Sequence, residues 1–151
     1  MFPQTSSQDW QSAITGTSGV GTSWFGFFFI GHLLRTFPDS VLIYESTTRR
    51  YRLFQGHVTV GDQFDGDLVD PNNFYIFDGV GYMCQCAAFT LILSSVKHPE
   101  VDAVLWMPIL SLKEMEACRA ACFPGVTAAD AMKGFAKWGG IPRYVLCKLD
   151  S

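Results

Sequence analysis

Charge is scarce in this chain of 151 residues: 11 Lys and Arg with 14 Asp and Glu make up only 17%, well under the quarter or so usual for globular domains. With a net charge of −3 and its Lys and Arg scattered, the chain lacks the basic footprint of a generic nucleic-acid binder. Long apolar runs are also missing. The most apolar stretch, residues 24–34, is 11 residues long and is broken by Gly26, Gly31 and His32, whereas a membrane span needs about 20. Nothing basic precedes it and residues 1–10 carry only Asp9, so it does not read as a secretory signal either. Cysteine is present but unpatterned: Cys84, Cys86, Cys118, Cys122 and Cys147 are odd in number and irregular in spacing. That is not a disulfide framework, and a reducing compartment is expected. Repeats and low-complexity segments are absent.

Apolar surface is abundant. Hydrophobic residues are 48% and aromatics 15% of the chain, 13 of them Phe, which excludes a disordered chain. The length is that of one domain able to bury its own core. So little charge suggests surface that is covered in the natural context, by a partner or by further chain.

Residues 1–11 are polar and read as a disordered lead-in, with one domain over residues 12–151. A short strand at 12–15 runs into a Gly-rich turn at 16–21 and then a helix over 22–35. That helix is apolar nearly all round, so it is expected to be buried, with Phe27, Phe28 and Phe29 packed under the sheet. Pro38 stops it. Residues 41–44 form a strand. Residues 51–54 and 57–60 form a hairpin about Gln55-Gly56. The segment 61–73 is acidic and loop-like. Three short apolar runs (74–77, 87–93 and 101–106) read as buried strands. Ser111 with Glu114 makes a capping box for a helix to Cys122. Thr127 with Asp130 starts another, ended by Gly139-Gly140, and Pro142 sits at the first turn of a last helix. Apolar strands alternating with helices argue for an α/β fold, a mainly parallel sheet covered on both faces.

The chief chemical signal is Gly16-Thr17-Ser18-Gly19-Val20-Gly21-Thr22-Ser23. It follows a strand and opens a helix, the context of a phosphate-binding loop. Glycines let successive N–H groups point at one anion, and the helix start adds positive potential. Ser23 stands where a hydroxyl ligates Mg²⁺. Thr22 stands where a lysine would reach the phosphates, so the octamer alone fits an ordinary Gly-rich turn as well. The second signal is the run Phe74-Tyr75-Ile76-Phe77, which places Asp78 at the carboxyl end of a strand, able to support Mg²⁺ opposite Ser23. The next residue is Gly79, where many NTPases carry a Glu. Ser94, ending the following strand, is positioned to sense a terminal phosphate. Arg143 is positioned to reach phosphate from a lid.

The remaining features read as structural. Cys118 and Cys122 share a helix face and, with Cys84 and Cys86, lack zinc-site spacing; they read as core-facing thiols. His32, His57 and His98 are dispersed. Arg49, Arg50 and Arg52 form the one basic cluster, expected to be solvated at a hairpin.

Together these pieces resemble the P-loop NTPase domain of Crinkler-type effectors and the related retrotransposon hot spot proteins. The likeness runs over residues 12–151. It is carried by residues 16–23 followed by Trp24-Phe25, by 74–78, by 107–114, by Cys118-Arg119 and by residues 138–146, which read WGGIPRYVL. The resemblance implies a three-layer, STAND- or AAA-type ATPase module that binds ATP or another NTP with Mg²⁺. It also implies an effector secreted to act in a host cytoplasm or nucleus, with a host protein or a second copy as partner. Residues 139–146 resemble the entry to a lid, so a fold truncated at the lid is expected. Thr22 departs from the family's lysine. A hydrogen bond to a charged group contributes about 1.5–3 kcal/mol, or roughly 10- to 100-fold in affinity. The expected function is therefore a degenerate nucleotide-binding domain with hydrolysis weak or absent. The alternative is a protein-interaction module that has lost its ligand.

Overall fold

Periodicity of two along short apolar strands builds this molecule. A computed structural model describes residues 11–79, 84–95, 101 and 103–147. The expected lead-in lies outside them except for Gln11, which already opens the first strand. In chain order the elements are β1 (Gln11–Gly16), α1 (Thr22–Thr36), β2 (Leu42–Ser46), β3 (Arg49–Phe54), β4 (His57–Val60), α2 (Asp65–Leu68), β5 (Phe74–Asp78), β6 (Phe89–Ser94), β7 (Ala103–Met107), α3 (Leu112–Cys122), α4 (Ala128–Trp138) and α5 (Pro142–Leu146).

Among the described residues the fold is α/β, with one seven-stranded sheet in the order β4-β3-β2-β5-β6-β1-β7. The five strands from β2 to β7 in that order pair in parallel. β2, β3 and β4 form an antiparallel meander at one edge. Gln55 and Gly56 both have positive φ (47° and 77°), the signature of the tight hairpin turn that Gly favours.

Alternation divides the core. Ala13, Ile43, Tyr75, Phe77 and Ile92 point to one face. Ile14, Leu42, Ile76, Leu91 and Leu93 point to the other, where Ile30 and Leu33 of α1 cover them. The central strands are near-continuous apolar runs because both faces are covered. Gly26 brings α1 down onto β6: a Cβ there would run into the side chain of Leu93.

Several expectations change. α1 is buried on one stripe only, at Gly26, Ile30 and Leu33. Trp24 is 78% and Phe28 67% exposed and Phe27 is half exposed, because among the described residues the helix has the sheet on one side and nothing on the other. Of the Phe triplet only Phe29 packs on the core. Among the described residues the far face of the sheet carries no long helix; one-turn α2 supplies Leu68, and Ala88, Cys84 and Cys86 help to cover it. α2 also interrupts the segment read as loop. β7 is an exposed edge, with Val104, Leu105 and Trp106 open to solvent. Helices α3, α4 and α5 pack on one another around Met115, Ala131, Val145 and Leu146. Cys118 is half-buried there, but Cys122 is exposed. Arg49 is exposed as expected, but Arg50 and Arg52 are half-buried in ion pairs: Arg50 pairs with Glu45 at 2.8 Å and Asp65 at 3.0 Å, and Arg52 with Asp67 at 2.9 Å. His98 lies outside the described residues.

The helix signals hold. Ser111 Oγ accepts from Glu114 N–H at 3.3 Å, and Ser111 N–H donates to the Glu114 carboxylate at 2.8 Å. The Ser111 hydroxyl, which donates to the same carboxylate at 2.7 Å, and then the Ser111 N–H hold the Glu114 carboxyl below its ordinary pKa. Thr127 Oγ1 accepts from Asp130 N–H at 3.1 Å. Pro142 occupies the first turn of α5. No helix among the described residues is long and apolar enough to cross a membrane.

Candidate functional site

The chain reverses between β1 and α1 through residues 17–21. Val20 N–H donates to the Thr17 carbonyl at 3.0 Å, and the Val20 side chain is buried, which pins the loop against the sheet. Gly21 is the residue before α1, with φ 110°, and no side chain caps the helix there. An L side chain is strained at such a φ, so glycine fits this position, and the first-turn N–H groups keep no side-chain acceptor of their own.

Asp78 follows Ile76 by two residues and so lies on the face that α1 covers. There Ser23 Oγ donates to Asp78 Oδ1 at 3.1 Å, joining residues 55 apart in sequence. Tyr44 of β2 donates its phenol to Asp78 Oδ2 at 3.1 Å. The Tyr44 phenol is pushed well above its ordinary pKa, by burial first and by the adjacent Asp78 second. It therefore remains a donor to the carboxylate. Phe27 and Tyr51 pack on its ring, with centroids 5.7 and 5.9 Å away.

Ser23 and Asp78 open onto a cavity of about 240 Å³ at the carboxyl ends of the strands, where ligands bind in open α/β sheets. Ser18, Gly19, Thr22 and Ser23 line it from the loop and helix start, and Asp78 and Ser94 from the ends of β5 and β6. Ser94 is buried and stands beside Thr15 in register. Arg143 lines the cavity from α5. Its backbone N–H reaches the Gly19 carbonyl at 3.4 Å. Seven of the residues expected in the site thus meet in one place. Gly16, Thr17, Val20 and Gly21 build the loop behind it.

Sequence reasoning missed Tyr44 and Thr47, which lies in the β2–β3 turn and also lines the cavity. Tyr44 carries no local signal: the parallel pairing of β2 with β5 places Tyr44 beside Ile76 and Ser46 beside Asp78, so Tyr44 shares the face of Asp78.

The donor set is one carboxylate and several hydroxyls. These are hard oxygen ligands of the kind Mg²⁺ takes, and Mg²⁺ ordinarily completes its shell with water and ligand phosphate. Among the described residues no group of three His, Cys, Asp or Glu is gathered as a metal cage. Thr22 contributes a hydroxyl and no charge. No protein-family model, curated protein or solved structure matches the chain. The chemistry of the cavity therefore rests on its own residues.

Proposed function

We propose that the chain is a P-loop-type nucleotide-binding domain of an effector-like protein, degenerate in catalysis. The observation that carries this reading is the Ser23–Asp78 hydrogen bond. It couples the start of the helix after a Gly-rich loop to a carboxylate at a strand end, inside a cavity large enough for phosphate groups. In this reading residues 16–23 cradle the phosphates of ATP or another NTP, the loop N–H groups and the α1 terminus facing the anion. Asp78 and Ser23 hold Mg²⁺, which when bound neutralises phosphate charge. Ser94 and Arg143 face the terminal phosphate. With a threonine at position 22 and a glycine at position 79, nothing in the motif supplies the lysine charge or activates water, so hydrolysis is weak or absent.

Calorimetry with Mg·ATP tests this on the unaltered chain and on Gly21→Asp, which puts a negative charge into the loop. Binding by the first and none by the second is expected. Equal heats from both, or heat from neither, overturn it. Phosphate release at background level, rising in Thr22→Lys, is the expected catalytic result.

A second reading, a protein-interaction module without a nucleotide, is favoured by one observation: the exposed aromatics Trp24, Phe27 and Phe28 on α1 and the open apolar strand β7. It predicts a melting temperature indifferent to Mg·ATP. The same family likeness would put the partner among host proteins of the cytoplasm or nucleus, or in a second copy of the chain.

A further inference from the structure

We infer that Trp24 is the platform on which the base of the bound nucleotide stacks, so that the site takes either purine by its flat face and not by its edge. The inference deepens the nucleotide-binding reading and rests on it.

The cavity is too small for a whole nucleotide. At about 240 Å³ it falls below the roughly 300–1,000 Å³ of pockets that enclose a drug-sized ligand. Among the described residues that line it, none carries an aromatic ring. Phosphates fit there, and the nucleoside has to lie at the rim. With the terminal phosphate facing Ser94 and Arg143, the first-turn N–H groups of α1 are left for the phosphate next to the ribose, and the base leaves the cavity past residue 24. Trp24 directly follows Ser23, which lines the cavity, and is 78% exposed. Its ring is braced from one side. It meets Phe27 edge to face, with centroids 6.1 Å apart and planes at 82°, a preferred aromatic geometry. Phe27 packs on Tyr44 at 5.7 Å, and Tyr44 donates to Asp78. A row of rings thus ties the indole to the carboxylate inside the cavity while most of the indole stays open.

Other rings are worse placed. Phe28 is nearly as exposed but stands a turn further along α1, against Phe25. Trp138 and Tyr144, next to Arg143, are already engaged: their centroids lie 5.6 Å apart, and Lys137 Nζ sits 4.8 Å from the centre of the Trp138 ring. Every base has a π face, and an indole brings one N–H donor and no acceptor. Stacking on Trp24 therefore adds affinity without telling adenine from guanine.

Calorimetry with two probes, Mg·ATP and inorganic triphosphate with Mg²⁺, separates the base from the phosphates. Trp24→Ala should weaken Mg·ATP roughly 5- to 150-fold and leave inorganic triphosphate unchanged. Trp24→Phe, which keeps a ring, should retain most of the ATP affinity, and melting curves check that each variant folds. Mg·GTP should bind the unaltered chain within about tenfold of Mg·ATP. Unchanged ATP affinity in Trp24→Ala, equal losses for ATP and triphosphate, a loss in Trp138→Ala in its place, or a wider gap between the two purines overturns the role of Trp24 and leaves nucleotide binding standing. An unaltered chain that binds neither probe overturns the nucleotide reading and this inference with it.

Discussion

Replacing Gly19 with alanine perturbs two things at once. The φ of 92° is one that L residues adopt at a cost of about 1–3 kcal/mol. The new Cβ would also stand 2.9 Å from Arg143 Cβ and 3.2 Å from Ile141 Cγ2. Arg143 Cβ is the root of its side chain, so relief requires α5 to shift as a unit. Overpacking of that kind costs roughly 1–3 kcal/mol. Gly21→Ala is the internal control. Its φ of 110° is equally unfavourable, but a Cβ there meets nothing within 4 Å, so only the backbone penalty applies. Gly19→Ala should therefore destabilise by about 2–6 kcal/mol, a large part of an ordinary domain's 5–15 kcal/mol, and exceed Gly21→Ala by the packing share. Urea denaturation of both variants measures the difference. Arg143→Gly, which removes the opposing Cβ, should narrow the gap between them. Equal costs for the two alanines, or a gap untouched by Arg143→Gly, would refute the idea that α5 closes on the loop at Gly19.

Three further outcomes follow from named groups. Thr15 Oγ1 is buried and finds no hydrogen-bond partner among the described residues. Thr15→Val should stabilise the fold by about 1–2 kcal/mol, raising the melting temperature by roughly 2–8 °C; a fall would mean the hydroxyl is satisfied. Tyr44→Phe deletes one of the two hydrogen bonds to Asp78. The gain in ATP affinity on adding Mg²⁺ should shrink while metal-free affinity stays, measured by parallel titrations with and without EDTA. The phenols of Tyr44 and Tyr75 are both raised, chiefly by burial and then by their carboxylate partners. The folded state thus keeps protons that the unfolded state loses above about pH 10. Their stabilisation is full below that pH and is lost as pH climbs above it. Melting temperature should fall with alkali, less steeply in Tyr75→Phe than in the unaltered chain.

Strands β5, β6 and β7 were legible because each is a short apolar run bounded by turn residues, the β3–β4 hairpin through its Gln55-Gly56 turn, and the helix starts because Ser111 and Thr127 cap by local rules. What a one-dimensional reading lacks is coverage. The apolar circumference of α1 reads as burial, yet a helix is buried only where another element packs on it. Trp24 and Phe28 have no such neighbour among the described residues. The strand at 103–107 is as apolar as β5 but falls at the edge of the sheet, since edge or centre is set by strand order and not by composition. The arginines of β3 read as solvated because their partners, Asp65 and Asp67, stand in a segment with no apolar period. The candidate site was legible at its two ends, the Gly-rich octamer and the strand-terminal Asp78, each recognisable by local context. Tyr44 and Thr47 enter only through the register between β2 and β5.

The strand order carries a cost in time. β1 opens the described chain yet sits inside the sheet, and its partners are β6 and β7; Gly16 faces Met107. During synthesis at roughly 5–20 residues per second, β1 leaves the ribosome roughly 5–18 s before its last partner residue. The two antiparallel pairings within the meander of β2, β3 and β4 are local, and they are able to form in that interval. Pairings so distant in sequence are slow to close. The Gly-rich loop therefore becomes a loop only near the end of folding, after the strands on both sides of it have arrived.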